Sequence, residues 1–162
     1  MELPNELLIY ITYFVNKAHF SFAQLYLTMA KLQQVIFKLL VVSKSILVID
    51  DSITNLVLLE AVMEEEGYKT ILATGVAEGL KIMKSQQPAL VLLDLLMPKS
   101  SGVDFLEAVA KDEQIRSIPV FVITAAVQDE YKYKVLELGA KEFFTKPIDL
   151  PKLTGSVKAI LK

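Results

Sequence analysis

The chain has no cysteine and no tryptophan among its 162 residues, and only one histidine. Without cysteine there is no disulfide framework, no thiolate nucleophile and no Cys-based zinc site. A reducing compartment suits such a chain, and the expected location is cytoplasmic. The lone histidine, His19, stands apart from the polar groups described below, so triad chemistry and a His-rich metal centre are not expected. Charge of one sign is also missing: the net value is −2, which gives no general case for nucleic-acid binding.

What is present is apolar. Hydrophobic residues make up 53% of the chain, enough for a sizeable core without covalent staples. The two parts differ in charge. Residues 1–44 hold four lysines against two glutamates, whereas residues 45–162 hold thirteen basic groups against seventeen acidic ones. A boundary is expected at about Val42–Ser45. Beyond it, short apolar runs alternate with helical patterns, the mark of βαβ units. Strands are expected over 45–49, 69–73, 89–93, 119–123 and 142–144. Helices are expected over 54–66, 76–85, 102–112, 127–138 and 150–161. Gly67 and Gly139 serve as helix stops. Strands this apolar are buried on both faces, and right-handed crossovers then favour a doubly wound, five-stranded parallel sheet.

Polar groups recur where these strands end. Asp50 and Asp51 follow the first strand and Asp94 the third; Thr124 follows the fourth, and Lys146-Pro147 the fifth. In a parallel sheet all those ends open onto one crevice. Three carboxylates gathered there repel one another: two unit charges 4 Å apart interact by about 4 kcal/mol at an effective dielectric of 20. A hard dication relieves this, and oxygen donors without His or Cys select Mg²⁺ (or Mn²⁺) over zinc. Each motif alone has an ordinary meaning: Asp-Asp as a turn and cap, Thr124 as a helix cap, Lys146-Pro147 as an exposed turn. Their joint occurrence, in order, argues for a site.

At these residues a family resemblance emerges. An acidic pair after the first strand, D-x-x-M-P-x-x-x-G from Asp94 through Pro98 to Gly102, then Thr124 and Lys146-Pro147, resemble the CheY-like receiver domain of two-component response regulators. The resemblance spans residues 45–162 and implies the strand order 2-1-3-4-5, for which a member of this family is a standard illustration among doubly wound sheets. It implies that Asp94 accepts a phosphoryl group from a sensor histidine kinase or a histidine phosphotransfer protein. It also implies metal ligation by Asp51, Asp94 and the backbone carbonyl of Leu96, with Asp50 acting through water. Lys146 and the Thr124 hydroxyl would meet the transferred oxygens. Pro147 falls at the family's cis-peptide position, and Thr124 with Phe143 at its switch positions. The donor protein would dock beside helix 54–66, near Asn55, Leu56 and Leu59. A downstream protein target would meet the 127–161 face, where Tyr131, Lys132, Tyr133 and Lys134 lie. Leu96 and Ala126 occupy positions that tune phosphoryl loss in the family, and both are apolar here, so slow self-dephosphorylation is expected.

Residues 1–44 carry a different pattern. Lys17, Ser21, Gln24, Thr28, Lys31, Gln34 and Lys38 recur three or four apart among apolar residues, as in an amphipathic helix. Glu2 and Glu6 argue against a secretory signal, and Asn16, Lys17, His19, Ser21 and Gln24 against a spanning helix. Three readings stand: a basic interfacial or dimerising helix, an F-box-like start at Leu3-Pro4-Asn5-Glu6-Leu7-Leu8, and upstream translation from a misassigned start with Val41 or Val42 as initiator. Membrane contact is expected only through this extension.

No output domain is expected after the last helix, which favours a single-domain regulator or relay intermediate that is not an enzyme beyond its own phosphorylation and dephosphorylation. Two competitors remain. One is a pseudo-receiver acting as an interaction scaffold, against which the intact acids and Lys146 weigh. The other is a phosphatase with an Asp nucleophile, which would want a second acid where Leu96 stands.

Overall fold

The computed structural model describes residues 27–33 and 44–162, apart from Lys99 and Val127. The chain divides into two compact units, Met1–Val42 and Ser43–Lys162. Of the first unit only 27–33 is described, and its backbone is helical. The remaining expectations for the extension lie outside the described residues. No helix among the described residues is long and apolar enough to cross a membrane.

The second unit alternates strands and helices. The strands are β1 (Ser45–Ile49), β2 (Lys69–Ala73), β3 (Leu90–Leu93), β4 (Val120–Thr124) and β5 (Glu142–Thr145). The helices are α1 (Ile53–Glu65), α2 (Val76–Gln86), α3 (Gly102–Lys111), α4 (Asp129–Glu137) and α5 (Leu150–Ile160). The strands form one five-stranded parallel sheet in the order β2-β1-β3-β4-β5, as expected. Leu96–Met97 and Ser100–Ser101 add a short antiparallel pair beyond β3.

Side chains alternate across a strand, so each strand feeds two cores. Ile46, Val48, Leu90, Leu92, Phe121, Ile123 and Phe144 face α1 and α5, meeting Leu56, Leu59, Met63, Leu153 and Val157. Leu47, Ile49, Val91, Leu93, Val120 and Val122 face the other side, meeting Met83, Phe105, Leu106, Val109 and Val135 from α2, α3 and α4. This two-sided burial is why the strands read as unbroken apolar runs.

Local chemistry sets the ends. Gly67 and Gly139 adopt φ of 85° and 99° just after α1 and α4, where a side chain would be strained. Gln87 takes the left-handed conformation after α2 without being glycine, and Pro88 follows it. The helix expected over 127–138 begins only at Asp129, and its N-cap, Gln128, makes no side-chain capping bond. At the C-terminal end of α5 the buried apolar residue is Leu161, the C-cap, while Ile160 is exposed. That one-residue difference is a rotation of about 100° around a helix.

Candidate functional site

The sheet register brings the expected groups together. Ile49 pairs with Leu93, so Asp50 and Asp94 each lie one residue beyond that pair on adjacent strands. Thr124 pairs with Thr145, and Lys146 lies one residue beyond. Extra ladder bonds anchor this rim: Asp50 N donates to Ala73 O at 3.2 Å, Asp94 N to Ile49 O at 2.8 Å and Lys146 N to Thr124 O at 2.8 Å. The backbone positions of these three residues are thus fixed by the sheet itself.

One oxygen from each of Asp50, Asp51 and Asp94 lies within 4.8 Å of the others. Asp50 and Asp94 are buried, at 2% and 6% exposure, whereas Asp51 is exposed. The strand ends just before Asp94, yet the carboxylate is enclosed. The Lys146 ammonium lies between the two buried acids, 2.8 Å from Asp50 Oδ2 and 3.2 Å from Asp94 Oδ2. Burial alone pulls the lysine pKa down, but the hydrogen bond to Asp50 and the attraction of Asp94 and Asp50 outweigh it. The net result holds the ammonium above its ordinary 10.5. The expected repulsion among three acids is therefore partly answered from within the chain.

Asp50 is the most heavily bonded of the three. Its Oδ1 accepts from Ser52 N at 2.9 Å and from Asn55 Nδ2 at 3.1 Å; its Oδ2 accepts from Asn55 Nδ2 at 3.0 Å as well as from Lys146. Asp50 and the residues after it do form a turn and a cap, but the cap of α1 is Ser52, whose hydroxyl accepts from Asn55 N. Asp94 Oδ1 accepts from Leu96 N at 3.3 Å. The Leu96 side chain is half exposed, so it brings nothing polar to the carboxylate from that position.

Thr124 is fully buried at the end of β4, and its Oγ1 accepts from Ala126 N at 3.2 Å. It does not cap α4, whose N-cap is Gln128. Phe143 and Phe144 point to opposite faces. Phe143 is half buried against the α2–α4 side, and Phe144 is buried with its ring 5.8 Å from that of Phe121. Lys146–Pro147 is a cis peptide. Pro98 helps line a cavity of about 610 Å³ beside Asp51, together with Met97, Thr74 and Glu78.

Gly102 has a steric role. A Cβ built there would lie 2.5 Å from the Asp94 carbonyl oxygen and 2.8 Å from Leu95 Cα. Its N–H donates to Leu95 O at 3.1 Å, tying the start of α3 to the loop that carries Asp94.

One sequence expectation needs correcting. Leu56 and Leu59 were expected at a docking surface, but both are buried against the sheet. Helix phase places Ile53, Val57 and Leu58 outward instead, at 63%, 54% and 44% exposure. Asn55, named in sequence as a docking residue, also binds both oxygens of Asp50. Its place five residues after that acid, in the first helical turn, was the available signal.

A family model for the response regulator receiver domain matches residues 46–158. The chain belongs to the receiver-domain family. The Brucella ovis polar-differentiation response regulator DivK is 29% identical over 119 residues, covering 74% of this chain and 97% of that protein. Protein PilH of Pseudomonas aeruginosa is 31% identical over 116 residues, covering 72% and 96%. Among solved structures, a response regulator receiver protein from Pseudomonas putida superposes with a TM-score of 0.70 at 26% identity, over 74% of this chain and 99% of that one. In this chain acids, a hydroxyl and an amine meet at the carboxyl edge of the sheet.

The donor set suits a hard cation. Asp51 is open to solvent, Asp94 borders it, and every side-chain donor is oxygen.

Proposed function

We propose that this receiver domain accepts a phosphoryl group on Asp94 and uses it to switch protein binding. The observation that supports this reading is the Lys146 ammonium held against the buried Asp94 carboxylate, beside a second buried acid and an open third. A carboxylate becomes a competent acceptor when its charge, and that of the incoming phosphoryl oxygens, is neutralised by fixed groups.

In the proposed transfer an Asp94 oxygen forms the new bond to phosphorus while the bond from phosphorus to the donor's imidazole nitrogen breaks. Lys146 supplies positive charge to the transferred oxygens, and the Thr124 hydroxyl turns to donate to one of them. Asp51, Asp94 and the Leu96 carbonyl would hold Mg²⁺ or Mn²⁺, with Asp50 acting through water; the ion supplies charge neutralisation. The protein has no turnover beyond gaining and losing its own phosphoryl group. With an apolar Leu96 and Ala126 no side chain there orients water, so the acyl phosphate is long-lived.

The donor is a histidine kinase or phosphotransfer protein docking on the exposed Ile53, Val57 and Leu58 of α1. The output partner is a protein meeting α4, β5 and α5, where Tyr131 and Tyr133 are exposed. Phosphorylation shifts a pre-existing equilibrium of that face through Thr124 and Phe143. With Phe at position 143, packing alone distinguishes the states.

Incubation with acetyl phosphate and Mg²⁺, followed by intact mass, tests the reading. It predicts a gain of one phosphoryl group that is absent in Asp94→Asn. No gain in the native chain favours the scaffold reading instead, and catalytic release of phosphate from an ester favours a phosphatase.

A further inference from the structure

Asp50 and Asp51 are neighbours in sequence but differ in every respect that matters for coordination. A carboxylate offers about four acceptor positions. On Asp50 three donor groups crowd the two oxygens: Ser52 N at Oδ1, Lys146 Nζ at Oδ2, and the Asn55 Nδ2 amide shared between both. Asp51 is exposed and, among the described residues, makes no hydrogen bond or ion pair. Asp94 lies between these extremes, with one amide donor and Lys146.

Asn55 is the one donor that reaches both oxygens of Asp50. It is held in place by α1 itself, in the first turn, where its own N–H is capped by Ser52. We propose that Asn55 is a positioning residue: its amide clamps Asp50 as the partner of Lys146 and keeps that carboxylate from binding the cation directly. The ion is then left to Asp51 and Asp94. The inference rests on the receiver reading and assigns a role to a residue that touches neither phosphoryl group nor metal.

Without the clamp, both Asp50 oxygens lose a donor they share, in a site already rich in negative charge. The loss of a charge-assisted hydrogen bond makes that carboxylate a better cation ligand. Affinity for the ion therefore rises when the amide is removed, the reverse of what damage to a binding site produces.

Calorimetric titration of Mg²⁺ into the full chain tests this without reference to phosphorylation. Asn55→Ala is expected to bind Mg²⁺ about threefold to tenfold more tightly than the native chain. In an Asp50→Asn background the same substitution is expected to change nothing, because the group through which Asn55 acts is gone. Asn55→Leu, which keeps side-chain bulk on this half-buried helical position, repeats the result and guards against a packing defect. Native binding with unchanged or weaker affinity in both Asn55 variants overturns the positioning role and leaves the receiver reading intact. Equal tightening with and without Asp50 also overturns it. No Mg²⁺ binding by the native chain overturns the receiver reading, and this inference with it.

Discussion

Lys146 is bonded to two carboxylates, and its removal leaves two buried negative charges facing each other. Breaking a buried pair costs up to about 3–5 kcal/mol when the remaining charge is fully enclosed. This lysine is partly solvated, so Lys146→Ala is expected to cost about 2 kcal/mol in the absence of divalent ions. Added Mg²⁺ should recover part of that loss. Thermal unfolding with EDTA and with Mg²⁺ checks this; equal midpoints for native and variant in EDTA would contradict it. The sign of the pH dependence follows from the raised pKa. The stabilisation from Lys146 is complete below its ordinary value of 10.5 and is lost only as pH climbs through the higher folded value. Glycines give a contrasting pair. A Cβ at Gly102 meets backbone, whereas one at Gly79 meets chiefly the end of the Ile49 side chain, which can turn away. Gly102→Ala should cost about 1–3 kcal/mol and slow labelling of Asp94, because the loop carrying it must move. Gly79→Ala, which also gains about 1 kcal/mol of helix propensity, should fall within about 1 kcal/mol of native. Urea unfolding of both variants decides the comparison, and equal costs would refute it.

Helix α1 has two jobs that the sequence pattern mixes together. Apolar residues lie all round it, so periodicity does not separate those that pack from those that show. The structure buries Leu56, Leu59 and Met63 and leaves Ile53, Val57 and Leu58 outside. Val57→Lys should therefore leave stability nearly unchanged while weakening transfer from a phosphohistidine donor at least about tenfold, with acetyl phosphate labelling unaffected. Loss of both activities would mean the helix face is structural. The strands were legible almost to the residue, because burial on both sides makes each a continuous apolar run bounded by polar groups. The start of α4 was less so, since a helix terminus depends on local caps, and no pattern says which of two adjacent apolar residues, Ile160 or Leu161, the sheet accepts. A link between α2 and the end of α3 was also invisible in sequence. Lys84 meets Asp112 at 2.7 Å across elements, and the lysine's hydrogen bond, followed by that of Gln114 N, lowers the Asp112 pKa. Its stabilisation is present above the ordinary 3.8 and fades as pH falls through the lower folded value. Asp112→Asn should thus lose a little stability at neutral pH and none once the native carboxyl is protonated, as melting across pH would reveal.

In the Ser43–Lys162 unit, the proposed function depends on one edge of one sheet. Register sets Asp50 beside Asp94 and Lys146 beside Thr124, and that much follows from where apolar runs stop. What sequence spacing did not disclose is how the charges are distributed among partners. Lys146 already serves two acids, and Asn55 already holds both oxygens of one of them, Asp50. The Lys146 contacts run from the end of β5 to the ends of β1 and β3, which no pattern of residue types discloses, whereas Asn55 stands only five residues from Asp50. A cation at a hundred times its dissociation constant would add about 2.7 kcal/mol to the stability of this unit. Borohydride reduction after exposure to acetyl phosphate and Mg²⁺, with peptide mass mapping, locates the acceptor itself, since an aspartyl phosphate is reduced to homoserine. The account predicts homoserine at position 94 alone, and none when EDTA replaces Mg²⁺. Homoserine at position 50 or 51, or no conversion anywhere, would contradict it.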